Sequence, residues 1–159
     1  MMTTGFADLV GGKGIVADCA VASKIDLLAT LSAMAGAAIG LPASLVLERV
    51  QQRETLGATG FGQGAAIPHA RIEGLAHVMA VVARLQAPIA YGSFDGQPID
   101  LAVLLLSPEG AGADHLKALA RISRSLRDPA TLAAMRGAGN IAELRAAIGA
   151  LVHSGKCAA

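Results

Sequence analysis

The sequence predicts a single α/β layered domain with helices on both faces of a sheet. Three observations carry that prediction. Apolar, β-rich runs at residues 78–85 and 99–106 read as strands. Helically spaced apolar positions precede, separate and follow such runs. A chain of 159 residues that is 53% hydrophobic suits one domain with a substantial core. The aromatic share is only 3%, so Ala, Leu, Val and Ile must build that core.

The elements follow in order. Residues 1–14 hold Gly5, Gly11, Gly12 and Gly14 and read as a loose lead-in to a domain spanning 15–152. Residues 15–20 alternate and read as a first strand. Ser23 can cap a helix starting near Lys24, with Asp26 in its favourable first turn. Leu27, Leu28, Leu31, Met34 and Ala35 fall at helical spacing, and Gly36 and Gly40 weaken the end. Pro42 suits the first turn of a second helix, which continues through Leu45, Val46, Arg49 and Val50 to about Glu54. Residues 55–69 are too glycine-rich for a helix and read as short strands joined by tight turns. Residues 78–85 form a strand, and 88–98 a turn region with Asp95-Gly96 at its tip. Residues 99–106 are apolar apart from Asp100, which predicts a strand buried on both faces. Leu116, Leu119, Ile122, Ser123 and Leu126 mark a helix that Asp114 can cap. Asp128-Pro129 stops it and starts another, to about Met135. Asn140 can cap a last helix holding Ile141, Leu144, Ile148 and Leu151, and 153–159 is a tail.

Composition excludes several functions. Thirteen Lys+Arg against 12 Asp+Glu leave no strongly basic face for nucleic acid. One Tyr, three Phe and no Trp make a poor stacking platform for single strands. Cys19 and Cys157 form neither a CxxC pair nor a disulfide framework. Residues 27–47 carry no charge and have the length of a membrane span. Pro42 divides that run, its composition is Ala/Ser/Gly-rich, and no aromatic or basic belt flanks it, so membrane insertion is not expected. The N-terminus lacks the basic and apolar regions of a signal peptide, and the expected location is the cytoplasm.

The candidate chemistry lies in three places. Gly60, Gly62 and Gly64 loosely match a dinucleotide loop, but Pro68 prevents the helix that such a loop must open. Gly57 and Gly62 have P-loop spacing, yet Gln63 stands where Lys is required. These glycines serve either turn geometry or the close approach of backbone N–H groups to an anion. His69 follows an apolar run that ends at Pro68, which presents a neutral imidazole as a nucleophile. His115 lies in the first turn of its helix, where an imidazole and backbone N–H groups can meet an anion. Arg53 ends the second helix, either as a cation suited to the dipole or as a fork for phosphate oxygens. Thr59 can donate a hydroxyl to the same anion or serve as a strand residue. His77 and His153 complete no metal-ligand spacing, and no G-x-S-x-G elbow is present.

Residues 53–71, RETLGATGFGQGAAIPHAR, resemble the active-site segment of enzyme IIA of the phosphoenolpyruvate-dependent phosphotransferase system, fructose/mannitol/nitrogen-regulatory class. Phe94-Asp95-Gly96-Gln97-Pro98-Ile99-Asp100-Leu101, then Leu104-Leu105-Leu106 and Pro108-Glu109 before Asp114-His115-Leu116, extend the resemblance, which covers residues 15–151. It implies a type-2 enzyme IIA domain with a central mixed parallel and antiparallel sheet. It implies that His69 accepts a phosphoryl group from an HPr-type phosphohistidine carrier. His115 matches the family's second histidine, Arg53 its arginine and Thr59 its hydroxyl position. With the backbone of Gly60, Gly62 and Gly64 they would hold the phosphoryl oxygens, with no metal or other cofactor needed. Wording such as Gly-Ala-Gly-Ala-Asp-His-Leu is closest to the nitrogen-regulatory branch, which implies signalling to downstream regulatory proteins. The alternative is a sugar-specific enzyme IIA that feeds a separate IIB domain. A third reading is a binding module that kept the fold and lost transfer. Gln63 departs from the Asn, His or Glu more usual at its position, which leaves partner identity open.

Overall fold

The computed structural model describes residues 5–149, and the predicted tail at 153–159 and Leu151 lie outside them. After a 3-10 turn at Ala7–Leu9, β1 runs Val10–Cys19. α1 is Lys24–Ile39 and α2 Ala43–Glu54. Three short strands follow: β2 at Gly60–Gly62, β3 at Ala65–Ala66 and β4 at His69–Ile72. β5 is Met79–Ile89 and β6 Ile99–Pro108. Helices α3 (Gly112–Arg127), α4 (Pro129–Gly137) and α5 (Ile141–Ala147) complete the described elements.

The six strands form one mixed sheet in the order β1-β5-β6-β3-β2, with β4 also paired to β6. β1 runs parallel to β5, β5 antiparallel to β6, and β3 and β4 both parallel to β6. Period-two alternation in the central strands divides the interior into two layers. Ala80 and Val82 of β5 and Leu101, Val103 and Leu105 of β6 face α3, α4 and α5. Val81 and Ala83 of β5 and Ala102, Leu104 and Leu106 of β6 face α1 and α2. Residues 99–107 are all buried except Asp100, as a strand covered on both faces requires.

Three boundaries and one helix face depart from the expectations. β1 begins at Val10, so the glycine-rich stretch 10–14 is strand, and Phe6 before it is fully buried. Long-range contacts hold it: the Arg145 guanidinium donates to the carbonyls of Val10 and Gly11 at 2.9 and 2.6 Å. Val10 pairs with Ala80, and the register shifts before Ile15. β5 continues past Leu85 and across Pro88 to Ile89, over a register irregularity where a proline costs no ladder bond. α3 starts at Gly112 behind Ala111, so Asp114 sits inside the first turn instead of capping it. The buried row of α3 is His115, Ala118, Ile122, Ser125 and Leu126, while Leu116 is 63% exposed. The face is rotated by one residue from the expected stripe, and the rotation carries His115 inward.

Candidate functional site

β4 is the frame of the site. Among the described residues its only strand partner is β6, and the register sets His69 beside Leu105 and Arg71 beside Ser107. Ala70 and Ile72 point into the α1/α2 core. Alternation therefore places His69 and Arg71 on the opposite face, the one covered by α3. Paired residues in a parallel ladder share a face, so Ser107 lies there too. α3 lowers His115 onto that face, where its Nδ1 meets the Ser107 hydroxyl at 2.6 Å. The two imidazoles end 5.5 Å apart between centroids, tilted by 50°.

From the other side α2 contributes a row at i, i+4 spacing. Val46 and Val50 are buried, and Arg49 and Arg53 project toward β4. The result is an open cavity of about 410 Å³ whose lining includes His69, His115, Arg53, Arg49, Arg71 and Glu109. A larger cavity of about 710 Å³ lies along α3, lined in part by His77, Asp114 and Lys117. It contains none of the predicted site residues.

Each ring nitrogen of His69 has a defined state. The Ile67 carbonyl stands 2.7 Å from Nδ1 and can only accept, so Nδ1 carries the proton. Nε2 then keeps its lone pair and has no hydrogen-bond partner among the described residues. Burial holds the His69 pKa below the usual imidazole value. The Arg53 and Arg71 cations push it the same way, against the Ile67 bond and the Glu54 carboxylate. Burial also lowers the His115 pKa, with His69 and Arg71 adding to the effect. Both rings are therefore neutral at neutral pH. Arg53 gives one N–H to the Gly57 carbonyl at 3.1 Å, which closes the end of α2.

His69, His115 and Arg53 are thus brought together. Thr59, Gly60, Gly62 and Gly64 are not among the residues that line the cavity. The Thr59 hydroxyl and amide are bonded to Glu54, and the hydroxyl lies 3.0 Å from the Tyr91 hydroxyl. Glu54 also pairs with Lys24 at 2.8 Å, and burial drives the Tyr91 phenol pKa well up. A Cβ on Gly60 would come within 2.7 Å of the Ser93 backbone. Gly64 has φ +81°, and Arg136 and Asp100 crowd the space its Cβ would enter. Gly62 faces Phe94 and Asp95. Gly60 and Gly64 are each packed closely against another segment.

The cavity is also lined by Arg49, Arg71 and Glu109, to which the sequence reading gives no role. Two signals were available: Arg71 is two residues from His69 on one strand, and Arg49 is four residues from Arg53 on one helix. Among the described residues no group of three or more His, Cys, Asp or Glu is placed to hold a metal, and no helix is long and apolar enough to cross a membrane. Cys19 is buried and unpaired.

Residues 10–150 match the family described as phosphoenolpyruvate-dependent sugar phosphotransferase system, EIIA 2, and the chain belongs to that family. It is 50% identical over 121 residues to a nitrogen regulatory protein of Bradyrhizobium diazoefficiens, covering 76% of this chain and 79% of that one. The crystal structure of the nitrogen regulatory protein IIA-Ntr from Neisseria meningitidis superposes with a TM-score of 0.85 at 30% identity, over 89% of this chain and 97% of that one. The Escherichia coli enzyme IIA-Mtl, solved in complex with phosphorylated enzyme IIB-Mtl, shares the fold at a TM-score of 0.73 and 14% identity, over 87% and 95% of the two chains.

Proposed function

We propose that this chain is a cytoplasmic phosphocarrier that accepts a phosphoryl group on Nε2 of His69 from an HPr-type phosphohistidine protein. Its phosphorylation state is then read by regulatory partner proteins. The observation that carries the reading is the tautomer: the Ile67 carbonyl at 2.7 Å holds the proton on Nδ1 and leaves Nε2 as the nucleophile. In the transfer, the Nε2 lone pair forms the new N–P bond. The electron pair of the breaking N–P bond stays on the carrier's ring nitrogen. That ring already holds a proton on its other nitrogen and leaves as neutral imidazole. His69 keeps its Nδ1 proton and becomes a phosphoimidazolium, whose positive charge the Ile67 carbonyl faces. No proton has to move at either reacting nitrogen. His115 and Arg53 serve as donors for the phosphoryl oxygens.

The 50% identity to a nitrogen regulatory protein supports regulation over sugar uptake. A phosphoryl group brings close to two negative charges to the cavity mouth, on the order of the charge by which phosphorylation switches other protein contacts. Intact mass after incubation with phosphoenolpyruvate, enzyme I and an HPr-type carrier tests the reading. One phosphoryl group is expected on the wild type and none on His69→Ala. Equal labelling of the two would overturn the assignment.

A further inference from the structure

We infer that Arg71 is a further catalytic residue, whose guanidinium binds the oxygens of the phosphoryl group carried on His69. The inference rests on the phosphocarrier reading and adds an arginine of β4 to the site.

Four observations converge on it. Arg71 lies two residues after His69 on β4, so both side chains leave the same face. It stands in register with Ser107, whose hydroxyl holds the His115 ring, so the strand pairing puts Arg71 beside both imidazoles. It lines the cavity that both rings line. Its guanidinium makes no hydrogen bond or ion pair among the described residues. Arg53, by contrast, has given one donor to Gly57.

The charge balance asks for such a group. The transferred phosphoryl brings close to two negative charges. Both imidazoles are neutral before transfer, and Glu109 adds an acid to the cavity lining. Arg49 and Arg53, set against Glu109, would leave the dianion only partly neutralised. Arg71 supplies a further permanent cation from the β4 side, with five N–H donors in a fork that matches phosphoryl oxygens. During transfer the phosphorus moves from the carrier's ring nitrogen to Nε2 of His69, one N–P bond breaking as the other forms. The guanidinium stays charged throughout and exchanges no proton. Its contribution is greatest where the three equatorial oxygens carry the most charge, so it acts on the transition state and on the phosphorylated product.

Arg71 is exposed and makes no structural bond, so Arg71→Gln will fold, and an unchanged melting temperature will show it. Transfer from the phosphorylated carrier is measured in single turnover across carrier concentrations. Arg71→Gln should lower the maximal rate by about 10²-fold with little change in half-saturation. The phosphoryl equilibrium should shift toward the carrier, with Arg71→Lys intermediate in both respects. A full maximal rate with raised half-saturation would make Arg71 a docking residue and overturn the inference. So would wild-type behaviour in both measurements. The two readings fail separately. A wild type that takes no phosphoryl from any carrier refutes the phosphocarrier reading. Inorganic phosphate titrated against the His69 and His115 ring signals still tests Arg71. Weakening by about tenfold or more in Arg71→Gln supports the contact, and equal affinity refutes it.

Discussion

His69 and His115 are two imidazoles in one cavity, and their surroundings give them different jobs. His69 spends Nδ1–H on the Ile67 carbonyl and offers Nε2. His115 is almost fully buried, with Nδ1 against the Ser107 hydroxyl. If the hydroxyl donates, Nε2–H of His115 becomes a donor toward the proposed phosphoryl position. Ser107→Ala removes the group that holds the ring, and His115→Ala removes the ring. His115→Ala should slow transfer onto His69 by about 10²-fold, and Ser107→Ala should cost less, in single-turnover transfer from the carrier. The pH dependence has a definite sign. Both rings have native pKa values below that of the unfolded chain, about 6.5. Between those values the unfolded chain binds more protons, so stability rises with pH through this window. The contribution is complete above about pH 6.5 and is lost as pH falls through the lowered native values. Urea unfolding from neutral to mildly acidic pH should show this slope, and a His69→Gln/His115→Gln double variant should flatten it. Transfer should hold its rate down to the lowered value for His69 and fall below it, because only the neutral ring attacks.

At the scale of the element, what could be read in advance follows from how local the physics is. Ser23 and Asn140 cap α1 and α5 as predicted, and Asp128, expected to start α4 with Pro129, caps it, since a cap needs only a side chain three residues from an N–H. Asp128 accepts from the Thr131 amide at 3.1 Å and its hydroxyl at 2.7 Å. Asp128→Ala should cost about 1 kcal/mol, seen as a lower urea midpoint at unchanged slope. β1 was half hidden because Gly11 and Gly12 carry no strand signal. Its order comes from Arg145, more than 130 residues away. His69 and His115 were legible as chemistry, one through its proline and one through its helix start. Arg71 was only half legible: its spacing from His69 puts it on the same face, but its place beside His115 depends on a β4–β6 register that sequence spacing does not reveal. The glycine loop is ambiguous in sequence for a physical reason: close backbone approach suits an anion or a neighbouring segment equally, and Ser93 lies at the approach to Gly60. Gly60→Ala tests this directly. It should lose about 1–3 kcal/mol by overpacking, while at low temperature the folded fraction still takes phosphoryl on His69 at the wild-type rate. A slow rate in fully folded protein would return Gly60 to the site.

Across the whole molecule, the site depends on both core layers at once. β6 runs between them, with Leu104 in the α1/α2 layer and Leu105 in the α3–α5 layer, each with no exposed surface. His69 pairs with Leu105 on the backbone ladder. Arg53 belongs to the helix pair on one side of the sheet and His115 to the helices on the other. Neither layer alone can bring the two residues together. A carrier of this construction should therefore unfold as one unit, because loss of either layer exposes a face of β6 and leaves the other without its floor. Leu104→Ala and Leu105→Ala each remove a fully buried side chain, and each should cost about 2–5 kcal/mol. The informative comparison is between probes. For both variants, far-ultraviolet circular dichroism and the ring signals of His69 and His115 should report one coincident urea transition. The alternative is two layers that melt separately. Leu104→Ala would then release Arg53 and α2 first, and the His115 signal would survive to higher urea. Coincidence in both variants would show that the sheet transmits a loss on either face to the site on its edge. A split in either would place the folding boundary along β6.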